Sequence, residues 1–180
     1  LETAVLVVDD GSRDRTGEIA RGYGAAVARH ATNLGGGAAL RTGYRLMVDS
    51  GARIVVTLDA DGQHRPEEMD RLVGPVADGT VDLAHGSRVL GHAEANTMAR
   101  EMGIIFFNRL VSLITRTKVS DCSNGYRAVR TAVLPQLVLR QEQFHTSEFM
   151  IEAIKRGIPA KEVPITVEQR LQIGSRPMLS

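Results

Sequence analysis

Acidic side chains recur where two apolar runs stop. Asp59 and Asp61, within Asp59-Ala60-Asp61-Gly62-Gln63, follow the β-branched, apolar run Arg53 to Leu58, and Asp9 and Asp10 follow Ala4 to Val8. At a strand end residues i and i+2 lie on the same side, so the carboxylates of Asp59 and Asp61 can converge. Two carboxylates that close repel unless a cation lies between them. An oxygen-only set favours Mg2+ or Mn2+, which keep positions open for phosphate oxygens, and Gln63 can add a neutral amide oxygen. An isolated D-x-D is also the chemistry of an Asp-Gly turn with solvated acids, so the metal assignment rests on the setting after a buried strand. In Asp9-Asp10-Gly11-Ser12 a carboxylate can accept hydrogen bonds from a nucleotide base or ribose, and helix capping by Ser12 is compatible with that role. Asn33-Leu34-Gly35-Gly36-Gly37, with Arg41 behind it, has the look of a phosphate cradle at a helix N-terminus. It lacks the Lys-Ser/Thr of a P-loop and the spacing of a dinucleotide fingerprint, and tight packing explains three glycines equally well.

These residues need a scaffold that brings strand ends together, and the chain alternates in a way that supplies one. Strands are expected at Ala4 to Val8, Ala25 to Ala28, Arg53 to Leu58 and Val81 to His85. Between them, helices are expected from about Asp14 to Tyr23, from Gly35-Gly36-Gly37 through Val48, and after Pro66, where Glu67 and Glu68 suit the helix dipole. This β-α-β-α-β-α-β order predicts an α/β fold, a mostly parallel sheet with helices on both faces, and ligands bound at the carboxyl ends of the strands. Further on, Arg100 to Thr115 reads as a helix apolar nearly all round, for which burial in the core is the expectation and a lipid-facing surface the sharper alternative. Ser120 to Gly125 is turn-like, Tyr126 to Val129 a candidate strand, Thr146 or Ser147 to Arg156 a helix ended by Gly157, and Ala160 to Val167 a final strand. Within that helix Glu148 is a candidate to face the site and Lys155 a surface charge, while His64 is expected to support its loop or bind. No repeat or linker interrupts residues 1–180, so a single domain is expected.

Taken in order, VVDDGSRDRT, NLGGGAALRTGY, TLDADGQHRPEEM, GSR, DCSNGYRAVR and EVPITVEQR resemble the inverting family 2 glycosyltransferases of the GT-A (Rossmann-like) fold. The subgroup most similar is the polyprenyl-phosphate (dolichol-phosphate) mannosyl- and glucosyltransferases. The resemblance implies a sheet lacking the strand that usually opens such domains. It implies a hexose transferred from a nucleoside-diphosphate sugar of the GDP-mannose or UDP-glucose type to a polyprenyl phosphate, with Mg2+ or Mn2+ as cofactor. Carried over by position, Asp9, Asp10 and Asn33 line the nucleotide side, and Asp59 lies at the ribose-diphosphate. Asp59, Asp61 and Gln63 hold the metal, Arg88 and Arg100 hold an acceptor phosphate, and Asp121 and Arg127 close the acceptor side. A phosphate acceptor needs no general base; a hydroxyl acceptor would need a carboxylate such as Asp121, whose other reading is a turn-stabilising acid. The family's G-x-S-K corresponds to Gly174-Ser175-Arg176.

Composition narrows the alternatives. A net charge of +1 produces no field to draw in nucleic acid. A single cysteine, Cys122, excludes an internal disulfide and fits a reducing compartment, so a cytoplasmic enzyme with peripheral contact at the inner face of a membrane is expected. An aromatic fraction of 4% without Trp argues against a lectin-like module. A nucleotidyltransferase would place a Gly-rich loop with Arg and Lys after its first strand, a pattern this sequence lacks. The remaining competitors are a catalytically silent sugar-nucleotide-binding domain and transfer to a sugar hydroxyl.

Overall fold

The structure is a computed structural model that describes residues 3–93 and 98–168. Its elements run β1 (Leu6–Asp9), α1 (Thr16–Gly22), β2 (Ala26–Arg29), α2 (Gly36–Asp49), β3 (Ile54–Thr57), a 3-10 turn (Pro66–Glu68), α3 (Met69–Ala77), β4 (Leu83–Ala93), α4 (Met98–Thr115), β5 (Arg127–Arg130), a second 3-10 segment (Thr131–Gln136), α5 (His145–Lys155) and β6 (Ala160–Val167). The alternation read from the sequence is therefore present, and the last strand falls where it was expected.

The strands form two sheets. β1 and β2 pair in parallel, and the other sheet has the order β3-β5-β4-β6. β4 and β6 are parallel, and β5 runs antiparallel to both β3 and β4. β4 and β5 run antiparallel although α4 connects them, because the segment 120–126 after the helix brings the chain back to the sheet in the opposite direction. Among the described residues, β1 pairs only with β2, and β3 only with β5.

Pleating divides the larger sheet into two packed faces. Val55, Val129 and Leu83 occupy one cross-strand row and join Tyr44 of α2, Val111 of α4, and Phe149 and Met150 of α5 in one core cluster. Ala128 and Ala84, one residue along, belong to the opposite cluster with Leu72 and Val76 of α3. Helix α2 also reaches the smaller sheet, where a Cβ at Gly43 would contact Val8. Glu68, expected only to complement a helix dipole, is buried and accepts bonds from the backbone N–H and hydroxyl of Thr166, tying the start of α3 to β6.

One expectation is corrected. Helix α4 is not buried all round: Val111 and Asn108 are buried, but Met102, Phe106, Leu113 and Ile114 are exposed. Its inner face is narrow and partly polar, so the apolar majority has no core to enter. Gly174-Ser175-Arg176 lies outside the described residues.

Candidate functional site

The loop 120–125 brings Asp59, Arg88, Asp121 and Arg127 into one neighbourhood beside Asp61 and Gln63, whereas Asp9, Asp10 and Asn33 lie at the end of β1 and on the loops that follow β1 and β2. After β3 the backbone N–H of Asp59 donates to His64 Nδ1 at 3.2 Å, and the N–H of Gln63 donates to Asp61 Oδ1 at 3.2 Å. The Gln63 amide donates to the Glu168 carbonyl at 3.0 Å, and the Glu168 N–H returns a bond to the Gln63 carbonyl. His64 therefore supports the acidic loop. It is buried against the Tyr126 ring, with centroids 5.0 Å apart, and burial lowers its pKa, which keeps Nδ1 available as an acceptor. Gly62, at φ 76°, makes the turn that an L side chain would strain.

A second loop, 120–125, meets the first. A Cβ at Gly125 would stand 3.2 Å from Asp59 Oδ2, so the absence of a side chain there lets the carboxylate lie against the backbone. The Thr57 hydroxyl donates to the Gly125 carbonyl at 2.9 Å. Glu162 on β6 accepts bonds from the N–H groups of Ser120 and Asp121, and Asn108 on α4 accepts from the Cys122 N–H at 3.1 Å and donates to the Ser120 carbonyl. Burial raises the pKa of the Cys122 thiol, which sits inside this anchor.

Within the loop, Asp121 is completely buried and faces Arg88, the residue that ends Gly86-Ser87-Arg88. Arg88 Nε donates to Asp121 Oδ2 at 2.8 Å and its Nη2 to Oδ1 at 3.1 Å, a two-pronged pair. The Arg88 backbone N–H adds a bond to Oδ2, and Nη2 reaches the Ser123 hydroxyl. Both Asp121 oxygens are thus committed to orienting a guanidinium. Arg100 opens α4, and its side chain lies outside the described residues.

Arg127 sits beneath the loop. It is buried, its Nη2 donates to the Asn124 carbonyl at 2.7 Å, and its guanidinium lies 4.5 Å from the centroid of the Phe149 ring. Burial lowers its pKa, opposed by Tyr44, Asp59 and Asp121. Here Arg127 braces the loop that touches Asp59.

On the β1 side, Asp9 is buried. Hydrogen bonding by Ser12, with the Ser12 N–H at 2.8 Å, lowers its pKa, and Arg29 Nε lies 3.4 Å away. Asp10 binds the opposite loop, accepting from the N–H groups of Leu34 and Gly35 and pairing with His30 Nδ1 at 2.6 Å. Burial alone would raise the Asp10 carboxyl, but these bonds outweigh it and hold the pKa below the ordinary value. His30 Nε2 continues the chain to the Thr42 hydroxyl at 2.9 Å. Sequence reasoning missed His30, since a lone His after a strand gives no signal of its partner. Asn33 is exposed in the same loop.

The glycine run serves packing. A Cβ at Gly37 would fall 1.9 Å from the Gln141 carbonyl oxygen. Glu142 occupies the start of α2, accepting from the Ala38 N–H at 2.8 Å and pairing with Arg41 at 2.5 Å. The anion drawn to this helix N-terminus is the protein's own. Glu148 turns to the Arg140 and Gln141 N–H groups, and Lys155 pairs with Glu152 on the surface.

The donor set at the end of β3 fits a hard divalent cation: Asp59 and Asp61 supply anionic oxygens and Gln63 an amide oxygen, with no sulfur or imidazole among them. Among the described residues, no group of three or more His, Cys, Asp or Glu side chains is placed to hold a metal ion by itself. A metal held here would keep several coordination positions for oxygens of a ligand.

Comparison with known proteins gives concordant results. Residues 1–138 match the family model described as "Glycosyl transferase family 2". An uncharacterized protein of Methanocaldococcus jannaschii is 37% identical over 166 residues, spanning 89% of this chain and 68% of that protein. The polyprenol monophosphomannose synthase of Mycolicibacterium smegmatis is 35% identical over 178 residues, spanning 92% of this chain and 67% of that protein. Among solved structures, glucosyl-3-phosphoglycerate synthase from Mycobacterium tuberculosis, in complex with Mn2+, UDP and glucosyl-3-phosphoglycerate, superposes with a TM-score of 0.69 at 22% identity. That match covers 90% of this chain and 58% of the other, and carries the GT-A fold.

Proposed function

The chain belongs to glycosyl transferase family 2, and from that premise we propose that it transfers a hexose, with inversion, from a nucleoside-diphosphate sugar to a polyprenyl phosphate. The observation that carries this reading is the close approach of the Asp59 carboxylate to the backbone at Gly125, where a side chain would meet it. It sets the acidic loop after β3 against the loop whose Asp121 pairs with Arg88, which supports reading the two as the donor and acceptor sides of one site. The relative that makes polyprenol monophosphomannose supports the choice of acceptor.

Each group then has a task. Asp59, Asp61 and Gln63 would hold Mg2+ or Mn2+, whose chemistry when bound is Lewis-acid stabilisation of the departing nucleoside diphosphate. Asp9, Asp10 and Asn33 form the nucleotide side, with Asp10 shaping the loop through Leu34 and Gly35. A phosphate acceptor is anionic near neutral pH, so no side chain needs to remove a proton before its oxygen attacks the anomeric carbon. Arg88 orients that phosphate, and Asp121 is a positioning residue that fixes Arg88. A hydroxyl acceptor is disfavoured because the carboxylate best placed to act as base is buried in an ion pair.

The test is turnover by the purified chain with Mn2+ or Mg2+, a polyprenyl phosphate, and GDP-mannose or UDP-glucose, read as nucleoside-diphosphate release. Product carrying an inverted anomeric linkage is the expected result. Nucleotide binding without release under every combination would replace this reading with a silent binding domain.

A further inference from the structure

We infer that His30 is a positioning residue for the nucleotide-sugar donor: it clasps Asp10 to Thr42 and so fixes the loop that carries Asn33, Leu34 and Gly35. Two adjacent acids stand against two adjacent basic residues. β1 ends in Asp9 with Asp10 next, β2 ends in Arg29 with His30 next, and the parallel register pairs Asp9 with Arg29. Each acid takes one of the two: Arg29 Nε lies 3.4 Å from Asp9 Oδ2, and His30 Nδ1 lies 2.6 Å from Asp10 Oδ1. Arg29 is half exposed, whereas the His30 and Asp10 side chains are only 12% and 17% exposed.

Chemistry assigns the hydrogens. An ionised carboxylate only accepts, so the ring carries its hydrogen on Nδ1, and Nε2 of the neutral imidazole accepts from the Thr42 hydroxyl at 2.9 Å. Asp10 Oδ1 also takes the Leu34 N–H at 2.9 Å, and Oδ2 takes the Gly35 N–H at 2.8 Å. One imidazole therefore links the loops after β1 and β2 to the middle of α2, and Asp10 passes its orientation to the backbone immediately after Asn33. Gly11, at φ 73°, lets the two loops meet, since a Cβ there would stand 2.6 Å from the Thr32 carbonyl carbon.

Carboxylate, imidazole and hydroxyl in this order are also the parts of a nucleophilic triad. Thr42 is not placed for that role. It lies in the interior of α2 (Gly36–Asp49), where backbone N–H groups bond within the helix, so no pair of them stands beside its hydroxyl to hold an oxyanion. Among the described residues, no third His, Cys, Asp or Glu joins Asp10 and His30 to hold a metal. The function left to the cluster is orientation: a loop held in one conformation before its ligand arrives costs less to order on binding. The clasp stands on geometry alone, and its effect on the donor rests on the proposed function.

Calorimetry and steady-state kinetics with UDP-glucose and GDP-mannose in the presence of Mn2+ test the proposal. His30→Leu, which can bond neither partner, is expected to weaken donor binding about tenfold or more and to raise the donor KM while leaving the acceptor KM unchanged. Thr42→Val, which removes only the outer bond, should weaken donor binding about threefold. His30→Asn keeps an N–H near the Nδ1 position and should restore most of the affinity lost in His30→Leu, a rescue that a general loss of packing would not show. Nitrogen NMR of the imidazole in alkaline buffer should find its hydrogen on Nδ1. Unchanged donor affinity in His30→Leu, an Asn variant as impaired as the Leu variant, or a hydrogen on Nε2 overturns the proposal. Donor binding that depends on His30 without any turnover removes the transferase reading alone, and turnover indifferent to His30 removes this inference alone. A chain that binds neither nucleotide sugar removes both.

Discussion

Removing one carboxylate from the loop after β3 should separate the metal's role from that of the base pocket. Asp61→Ala is expected to abolish the metal-dependent part of nucleotide-sugar binding, leaving the weak metal-independent part; calorimetry with and without Mn2+ reads both. Equal affinities in wild type and variant would remove the metal assignment. Arg88→Ala leaves the Asp121 carboxylate buried without its partner, an arrangement that typically costs about 3–5 kcal/mol, measurable by denaturant unfolding. Asp121→Asn should lower kcat/KM chiefly by raising the acceptor KM while leaving the shape of the pH–rate profile unchanged, since a positioning residue contributes no titrating limb. Loss of a pH limb would restore the general base. The sequence allowed both readings of Asp121, because a motif records that an acid is present but not which cation faces it. The distance from Arg88 to Asp121 along the chain, 33 residues, hides a contact that only the fold makes.

At the scale of elements, most boundaries were legible because period and punctuation agree. Asp14 accepts the Thr16 N–H just before α1, and Gly157, at φ 65°, follows the end of α5. The glycine run was harder to read, since a cradle for an outside phosphate and a seat for Glu142 require the same glycines and the same helix N-terminus. Packing decides between them: Gly37→Ala should destabilise the chain by about 1–3 kcal/mol or more, because its Cβ would collide with a backbone carbonyl that cannot rotate away. A thermal melt checks this, and an unchanged midpoint would show that the 141–142 segment yields freely. In α4, apolar content alone suggested burial, but a helix is buried only as far as neighbours exist to cover it. The polar residue Asn108 is the better clue to its inner face. Asn108→Ala, which leaves the Ser120 carbonyl and the Cys122 N–H without their partner, should cost about 1–3 kcal/mol.

Across the whole molecule, the α/β class follows from alternation, whereas the separation into a two-stranded and a four-stranded sheet does not, because strand order is set by long-range pairing. The reversal of β5 is of the same kind. It brings Tyr126 and Arg127 back under the acidic loop and sets Arg127 opposite His85 in the register of β4 and β5. His85 is fully buried there, its Nε2–H donating to the Asp121 carbonyl, and burial together with the charge of Arg127 lowers its pKa to about 4. The unfolded chain takes up this proton near the ordinary histidine value of about 6.5, so the stabilisation is fully present above that pH. It is lost progressively as pH falls toward about 4, with a slope of at most about 1.4 kcal/mol per pH unit for one such group. His64, also lowered by burial, contributes with the same sign, whereas the depressed carboxyls of Asp9 and Asp10 act only at lower pH, below their ordinary value of 3.8. Urea unfolding between pH 7 and 5 should therefore show stability falling before any of these carboxylates protonates. His85→Asn should flatten that fall by the share of one histidine. A slope unchanged by the substitution would mean that the imidazole binds its proton in the folded state as readily as in the unfolded one.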